Sequence, residues 1–413
     1  MAIKLFNILL VLYPITNIYG IGIQGFSVGK VLLLVTGLYL LFKKRITLSF
    51  PKKYIFFAIW MFLVPYFYIL SSWINPFNIV YKSIGLLVFV LLIGLSCSFT
   101  NIEYAVLYFR KSALFCTAFF YLQYFINIFT GIKILGIIPG MPLADASSID
   151  SYVSMQSTLT RYCSVFLEPS HFAVYISMFL GVKLILLKGK FWDKEVAFVL
   201  IALILLQSGN GYLCLISICI AYLIVNGKTI LQNVRNLFFF VLCISFSCVF
   251  YSSVLKSETF SETFNRMEEI DANGNQNSSG FTRIFRGFYY FSDLEWEEKV
   301  IGIGQGNEID YAKTHSMYNF RMLATYTDAV YLNGIQQILV YGGFIGGCFF
   351  VCFLSQYYKC KKTIYLVLPF TSLFFISGVY NGSMMLLYIV FLEIILRREK
   401  FLRKNRYVRI HEK

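Results

Sequence analysis

The sequence predicts an all-α polytopic membrane protein with about twelve transmembrane helices, and three observations carry that prediction. Hydrophobic residues make up 58% of the chain and charged ones only 14%, with a mean hydropathy of +0.68, far from the balance of a soluble domain. Apolar runs of roughly 15–22 residues recur along the chain, about the length a helix needs to cross ~30 Å of hydrocarbon. Lys and Arg fall mostly in alternate loops.

In order, the runs are 5–22, 28–42, 54–72, 82–99, 112–131, 171–187, 195–208, 211–226, 237–254, 331–354, 364–378 and 383–396. The first is read as a span rather than a cleaved signal, because no small-residue cleavage site follows it and a second run begins at once. Several runs are short enough to require tilt or only partial insertion. Two thirds of the 36 Lys and Arg residues lie on one side, from Lys4 through the Lys43–Arg45, Arg110–Lys111, Lys188–Lys194 and Lys359–Lys362 loops to the tail at 397–413. That side is expected to be cytoplasmic, with both termini inside. The net charge of +15 is thus a topology signal spread over short segments, and it does not indicate nucleic acid.

The chain reads as a single integral membrane domain, 1–413, with two long extracytoplasmic loops at 132–170 and 255–330. Long loops confined to one face of a polytopic protein point to binding or chemistry there. Nine of the ten cysteines fall in spans or on the basic side and only Cys163 is external, so no disulfide framework is expected. Without a CxxC pair, an HExxH or a carboxylate cluster at metal spacing, no metal site is expected. Without a Walker or dinucleotide-binding glycine pattern, no ATP-driven pump is expected either.

Two loop segments hold most of the chemistry. In TRYCSVFLEPSHFAVYI, Pro169 should open a helix, which puts Glu168 at its N-cap and His171 three residues on, near backbone N–H groups that favour anions. A carboxylate and an imidazole there suit proton transfer or phosphate binding; an acidic cap beside an interfacial histidine is the plainer alternative. Arg161 carries a planar guanidinium suited to phosphate oxygens, or pairs with Asp145, Asp150 or Glu168. In RIFRGFYYF, Arg283 and Arg286 are spaced to share a helix face beside Phe285, Phe288, Tyr289 and Phe291. Such a helix fits a lipid-linked diphosphate and sugar rings, or anionic headgroups in general. His315, Tyr318 and Arg321 form a further three-and-three polar stripe that a solvated face explains equally well.

Glycines punctuate the remainder. SGNGYL (208–213) is expected to turn tightly between two spans, with close backbone approach at Gly209 and Gly211. YGGFIGG (341–347) is expected to let helices pack closely, and GIGQGN (302–307) lies in the second loop. Glu393, near the basic end of the last run, is the one acid in the interior of a span, whereas an ion-coupled transporter usually carries charge along its path.

With these features in place, the chain resembles the Wzy-type O-antigen and capsular repeat-unit polymerases, a group that also includes the O-antigen ligases. The resemblance rests on R(x6)EPSHFA, SGNGYL, RxxRG, GIGQGN and VYLNGIQQILVYGGFIG, and covers about 160–213 and 280–350. It implies a GT-C-like fold in the bacterial cytoplasmic (inner) membrane, its active site facing the periplasm or exterior. It further implies an inverting glycosyltransferase, independent of metal and cofactor, that joins undecaprenyl-diphosphate-linked oligosaccharide units into O-antigen or capsule. Arg161, Arg283 and Arg286 would bind the diphosphates, Glu168 or His171 would take the acceptor's proton, with Glu168 favoured, and Tyr289, His315 and Arg321 would be accessory. Partners implied are the lipid-linked donor and acceptor, membrane lipid, a chain-length regulator and a flippase. Ligases of the group place a histidine where this chain has TDAVYLNG, with Asp328 and Asn333, which tilts the reading away from ligase; ligase and lipid-linked oligosaccharide flippase remain the alternatives.

Overall fold

The computed structural model describes residues 1–22, 26–71, 75–138, 140–144, 162–186, 193–206, 208–232, 285–317, 332–376 and 381–411. Its elements are helices: α1 (Ala2–Thr16), α2 (Val28–Lys44), α3 (Lys52–Phe67), α4 (Pro76–Phe99), α5 (Ile102–Thr130), α6 (Pro169–Leu186), α7 (Lys194–Leu205), α8 (Gly209–Gln232), α9 (Arg286–Asp293), α10 (Trp296–Ile301), α11 (Glu308–Thr314), α12 (Gly334–Tyr358), α13 (Ile364–Ile376) and α14 (Ser383–His411). Five of them, α4, α5, α6, α8 and α12, are long and apolar enough to cross a membrane. The chain is a helical membrane protein. Eleven of the twelve apolar runs coincide with a helix, and the twelfth, 237–254, lies outside the described residues.

Polar side chains at helix starts satisfy N–H groups that the helix itself cannot. Asn75 accepts from Phe77 N ahead of Pro76, Asn101 from Glu103 N and Tyr104 N, and Asp193 from Glu195 N. Asn333 and Gln336 form a reciprocal capping box on α12. Pro169 stands at the first position of α6, as its fixed φ and missing N–H favour.

The bundle is organised around α6, whose membrane-length window is 72% buried against 28% for α5 and α8, so α6 is central and the other two peripheral. Phe109 of α5 touches Tyr175 and Phe179 of α6 and Phe391 of α14 at centroid distances of 5.0–5.9 Å. Tyr175 then donates its hydroxyl to Val11 O at 3.1 Å, with Ser112 Oγ 2.9 Å from the same oxygen, linking α6 to α1 and α5. Buried charges at the Lys-rich end are paired: Lys183 reaches Asp193 at 2.5 Å and Glu195 at 2.6 Å, and Arg110 also binds Glu195. Glu393 accepts from Arg397 Nε at 2.7 Å and from Tyr357 Oη at 3.1 Å, which gives it a packing role.

In the middle of α12 the two glycine motifs turn out to be one feature. Gly343 (φ 65°, ψ −166°) breaks the helix, in a region of backbone space open almost only to glycine. The carbonyls just before the break find donors elsewhere: Val340 O accepts from Ile303 N at 2.9 Å, Tyr341 O from Gly304 N at 3.1 Å and Gly342 O from Trp60 Nε1 at 2.7 Å. Gly302 and Gly304, both at positive φ, press against α12 and Pro65 of α3 where no Cβ fits. Thus YGGFIGG receives the loop segment GIGQG in addition to packing on α3, which the small-residue pattern by itself did not indicate.

Gly343→Ala is expected to lower the unfolding temperature of the detergent-solubilised protein, through backbone strain of about 1–3 kcal/mol and a clash with the Val300 carbonyl. Gly347→Ala meets only Leu339 Cδ2 at 3.4 Å and should leave the unfolding temperature unchanged.

Candidate functional site

The approach to Glu168 is fixed by a buried clamp. Ser164, fully buried at φ 55°, donates its N–H to Gln123 Oε1 at 2.9 Å, and Gln123 Nε2 donates back to Ser164 O at 3.2 Å. Ser164 Oγ adds a bond to Cys116 O at 2.7 Å. This pins the end of the first loop to α5, and four residues later the chain enters α6. Glu168 is exposed there, its carbonyl accepting from Phe172 N at 3.3 Å and its carboxylate from Ser170 Oγ at 2.8 Å. His171 lies exposed in the same first turn.

The second loop contributes α9 to α11. Helix α9 begins at Arg286 with Phe285 as its N-cap, so the described helix carries Arg286, Phe288, Tyr289 and Phe291, while Arg283 lies outside the described residues. Gly287 sits on Gln336 of α12 so closely that a side chain is excluded. Tyr290 is buried and donates to Glu308 O at 2.7 Å, and Phe291 meets Phe344 edge-on at 5.2 Å. Arg286 is half-buried, and desolvation pushes its pKa below the ordinary arginine value. Tyr289 is exposed on the same helix.

These two regions occupy one end of the bundle. Gly181, late in α6, abuts Tyr365 O at the start of α13, so the two helices run antiparallel and the mouth of α6 lies at the α13 C-terminal end. At that end Asn333 Nδ2 donates to Phe375 O at 2.8 Å, joining α13 to the start of α12 on which α9 rests. Close approach of Gly211 to Ala173 brings the start of α8 beside α6, although the helix already begins at Gly209 where a tight turn was expected. Arg161, Arg321 and Asp328 lie outside the described residues.

His315 departs from the expected stripe. Helix α11 ends at Thr314 and His315 is its extended C-cap, so the three-and-three spacing does not continue along one helix, and Tyr318 lies outside the described residues. Its ring instead stacks on Tyr311 at 3.9 Å with planes 6° apart, and Nδ1 lies 2.9 Å from Thr314 Oγ1 and 3.1 Å from Tyr311 O.

Around that stack is a polar cluster that sequence reading missed. Glu298 is 8% exposed and its Oε2 is enclosed without a hydrogen-bond partner, as is Oε2 of Glu308. Burial raises the pKa of both carboxyls, with Glu295 adding to the effect at Glu298 and the charge of Lys82 opposing it at Glu308. Burial also raises the pKa of Tyr290 and Tyr311, and both feel the charge of Glu298. In EWEEK the acids look like a solvated face; only tertiary burial distinguishes Glu298 from Glu295 and Glu297. Among the described residues no three His, Cys, Asp or Glu groups converge to hold a metal ion. The arrangement offers an exposed carboxylate and imidazole at a helix mouth, a desolvated guanidinium nearby in the fold, and carboxyls biased toward their protonated form.

Gln123→Leu strands the buried Ser164 N–H and should cost about 1–3 kcal/mol, measurable as a lowered unfolding temperature. A raised carboxyl pKa destabilises the ionised form. Relative to Glu298→Gln, the wild type should therefore lose stability as pH rises from the ordinary value of 4.5 through the raised pKa, and level off above it. Unfolding temperatures across that range should show Glu298→Gln more stable at neutral pH, and no difference in acid. In comparisons with known proteins, neither a family model nor a curated protein matches the chain.

Proposed function

We propose that this protein is an oligosaccharide repeat-unit polymerase of the bacterial cytoplasmic membrane. In this reading it is a GT-C-like enzyme with about twelve spans and both termini inside, working on undecaprenyl-diphosphate-linked substrates at the outer face. The observation that carries the reading is that the EPSH and RGFYYF segments lie at the same end of the bundle, although more than a hundred residues separate them.

The chemistry balances without a nucleotide. A hydroxyl of the incoming lipid-linked unit attacks the anomeric carbon of the growing glycan. The bond from that carbon to the diphosphate oxygen breaks, and undecaprenyl diphosphate departs with the electron pair. Glu168 takes the hydroxyl proton, its exposed carboxylate standing at the helix mouth with Ser170 Oγ donating to it. His171 orients the acceptor or contacts phosphate. Arg286, with Arg161 and Arg283, holds the diphosphates; partial desolvation strengthens a guanidinium's pull on the departing charge. Tyr289 offers an aromatic surface to a sugar ring. Attack opposite the leaving group inverts the anomeric centre.

Among related activities, polymerase is favoured over ligase by Asn333. Its side chain is committed to the α12 cap and to Phe375 O, so it performs a structural task where a ligase would carry a reacting histidine.

In a host lacking the gene, complementation with wild type should restore a ladder of chain lengths, while Glu168→Gln at matched expression should leave single repeat units. Arg286→Ala should reduce polymer formation by about 10²–10³-fold, with Arg286→Lys intermediate because it keeps the charge and loses the planar fork. Accumulation of long lipid-linked polymer on an undecorated acceptor would indicate a ligase. Repeat units retained on the inner leaflet would indicate a flippase, and an unchanged ladder would remove the reading.

A further inference from the structure

The opposite end of α12 holds a cavity of about 300 Å³, lined by Lys53, Gln356, Lys359, Cys360, Leu396, Glu399 and Lys400. It lies where the start of α3, the end of α12 and the basic part of α14 converge. One end of α12 thus carries the α9 contact and the other this cavity, separated by a helix of 25 residues, about 37 Å at 1.5 Å per residue.

Its polar lining consists almost entirely of donors. Lys53 leans on Ser355 Oγ at 3.5 Å, a weak contact that leaves its charge uncompensated. Lys359 and Lys400 are exposed ammonium groups on either side. The amide nitrogen of Gln356 is enclosed and makes no hydrogen bond of ordinary geometry, its nearest acceptor being the Tyr357 hydroxyl. The single acid, Glu399, already binds Lys362 at 2.8 Å, so its charge is spent outside the lining set. The carbonyl of Tyr357 at the end of α12, which would repel an anion, is covered by Cys360 N and the Thr363 hydroxyl. The N-terminus of α3 has no side-chain cap, which leaves the positive end of its dipole unquenched beside Lys53. Cys360 and Leu396 are buried and supply an apolar floor.

Three ammonium groups and an unused amide donor around an apolar floor match an anion with several acceptor oxygens and an apolar neighbour. We propose that this cavity binds a phosphate ester, its phosphate held by Lys53, Lys359, Lys400 and Gln356. Lysines, as compact point charges, suit a phosphate without demanding the two-pronged geometry that arginine would impose. The ester has two possible sources: a glycerophospholipid headgroup in the adjacent leaflet, where basic pockets between membrane helices hold such groups, or a soluble phosphate. The inference stands apart from the glycosyl-transfer reading and does not need it.

The test is native mass spectrometry of the full-length protein in detergent, titrated with phosphatidylglycerol or phosphatidylcholine, alongside thermal unfolding with and without inorganic phosphate. Wild type should retain phosphatidylglycerol over phosphatidylcholine. Lys359→Gln/Lys400→Gln should retain it about 25-fold less well, roughly fivefold per lysine, and Gln356→Leu should weaken it further. Lys43→Gln/Lys44→Gln, which removes two exposed charges outside the cavity lining, is the control and should bind as wild type does. Phosphate-dependent stabilisation that vanishes in the Lys359/Lys400 variant, without lipid retention, would support the site with a soluble ester as its ligand. Equal lipid retention by all variants with no phosphate effect, or equal loss in the control, would overturn it.

Discussion

The break in α12 is the constraint on which the rest of the architecture depends. In hydrocarbon a carbonyl that loses its helical partner has no water to turn to, so a broken helix persists only where protein groups replace the lost bonds. At Gly343 those replacements come from two places, the indole of Trp60 on α3 and the backbone of Ile303 and Gly304 in the second loop. The break therefore does more than bend a helix: it requires the loop. Because GIGQG enters the bundle at the break, α10 just before it packs on α12, and α9 is laid on the first turns of α12. A long extramembrane segment gains a rigid platform from a defect inside the membrane domain.

The two ends of the molecule treat buried charge differently. At the Lys-rich end, Lys183, Asp193, Glu195 and Arg110 form a closed network, in which the Glu195 carboxylate accepts from both Arg110 and Lys183. Glu393 is likewise matched by Arg397 and Tyr357. At the other end, Glu298 and Glu308 each keep an enclosed carboxylate oxygen without a partner, and their pKa values rise instead. An enclosed carboxylate oxygen without a partner carries a desolvation cost that pairing would relieve, even where hydrogen bonds reach the rest of the carboxyl, as that of Tyr341 does at Glu308. That cost is concentrated at the end which also carries the exposed Glu168 and the desolvated Arg286, a distribution expected where binding or chemistry competes with stability.

Much of the fold is legible in the sequence because the signals are local. Apolar runs mark the helices, and Pro169 marks where α6 begins. Helix limits were less legible where charge interrupts an apolar run without ending the helix. Helix α5 starts at Ile102, ten residues before the expected span, since Glu103, Arg110 and Lys111 can continue the helix beyond the apolar zone, and α14 runs on into the basic tail for the same reason. The Gly343 break was hidden because a glycine-rich stretch looks the same whether it packs or opens. Glu298 was hidden because burial is a tertiary property, and His315 sits off the helix because α11 ends at Thr314, so spacing alone could not place its ring against Tyr311. Glu168, His171, Arg286 and Tyr289 stand out in the sequence because proline, histidine and arginine are conspicuous in an apolar chain; the structure adds that the two pairs occupy one end of the bundle.

Support for Arg286 comes from residues that make no chemical contribution of their own. In the proposed reading Arg286 binds a diphosphate, and a guanidinium with that task is poorly served by a free loop. Helix α9 is held at three points: Gly287 against Gln336, the Tyr290 hydroxyl on Glu308 O, and Phe291 on Phe344. Gln336 has a second task, since its Oε1 accepts from Asn333 N at 3.0 Å in the α12 cap, and Asn333 in turn holds the end of α13. The first turn of α12 is therefore a junction. It fixes α9 through Gln336 and α13 through Asn333, and α13 packs antiparallel to α6, whose mouth carries Glu168. An unbroken chain of polar and steric contacts joins arginine to carboxylate through the cap of a single helix, so the geometry between them is set by the membrane domain rather than by the loops in which they were first noticed.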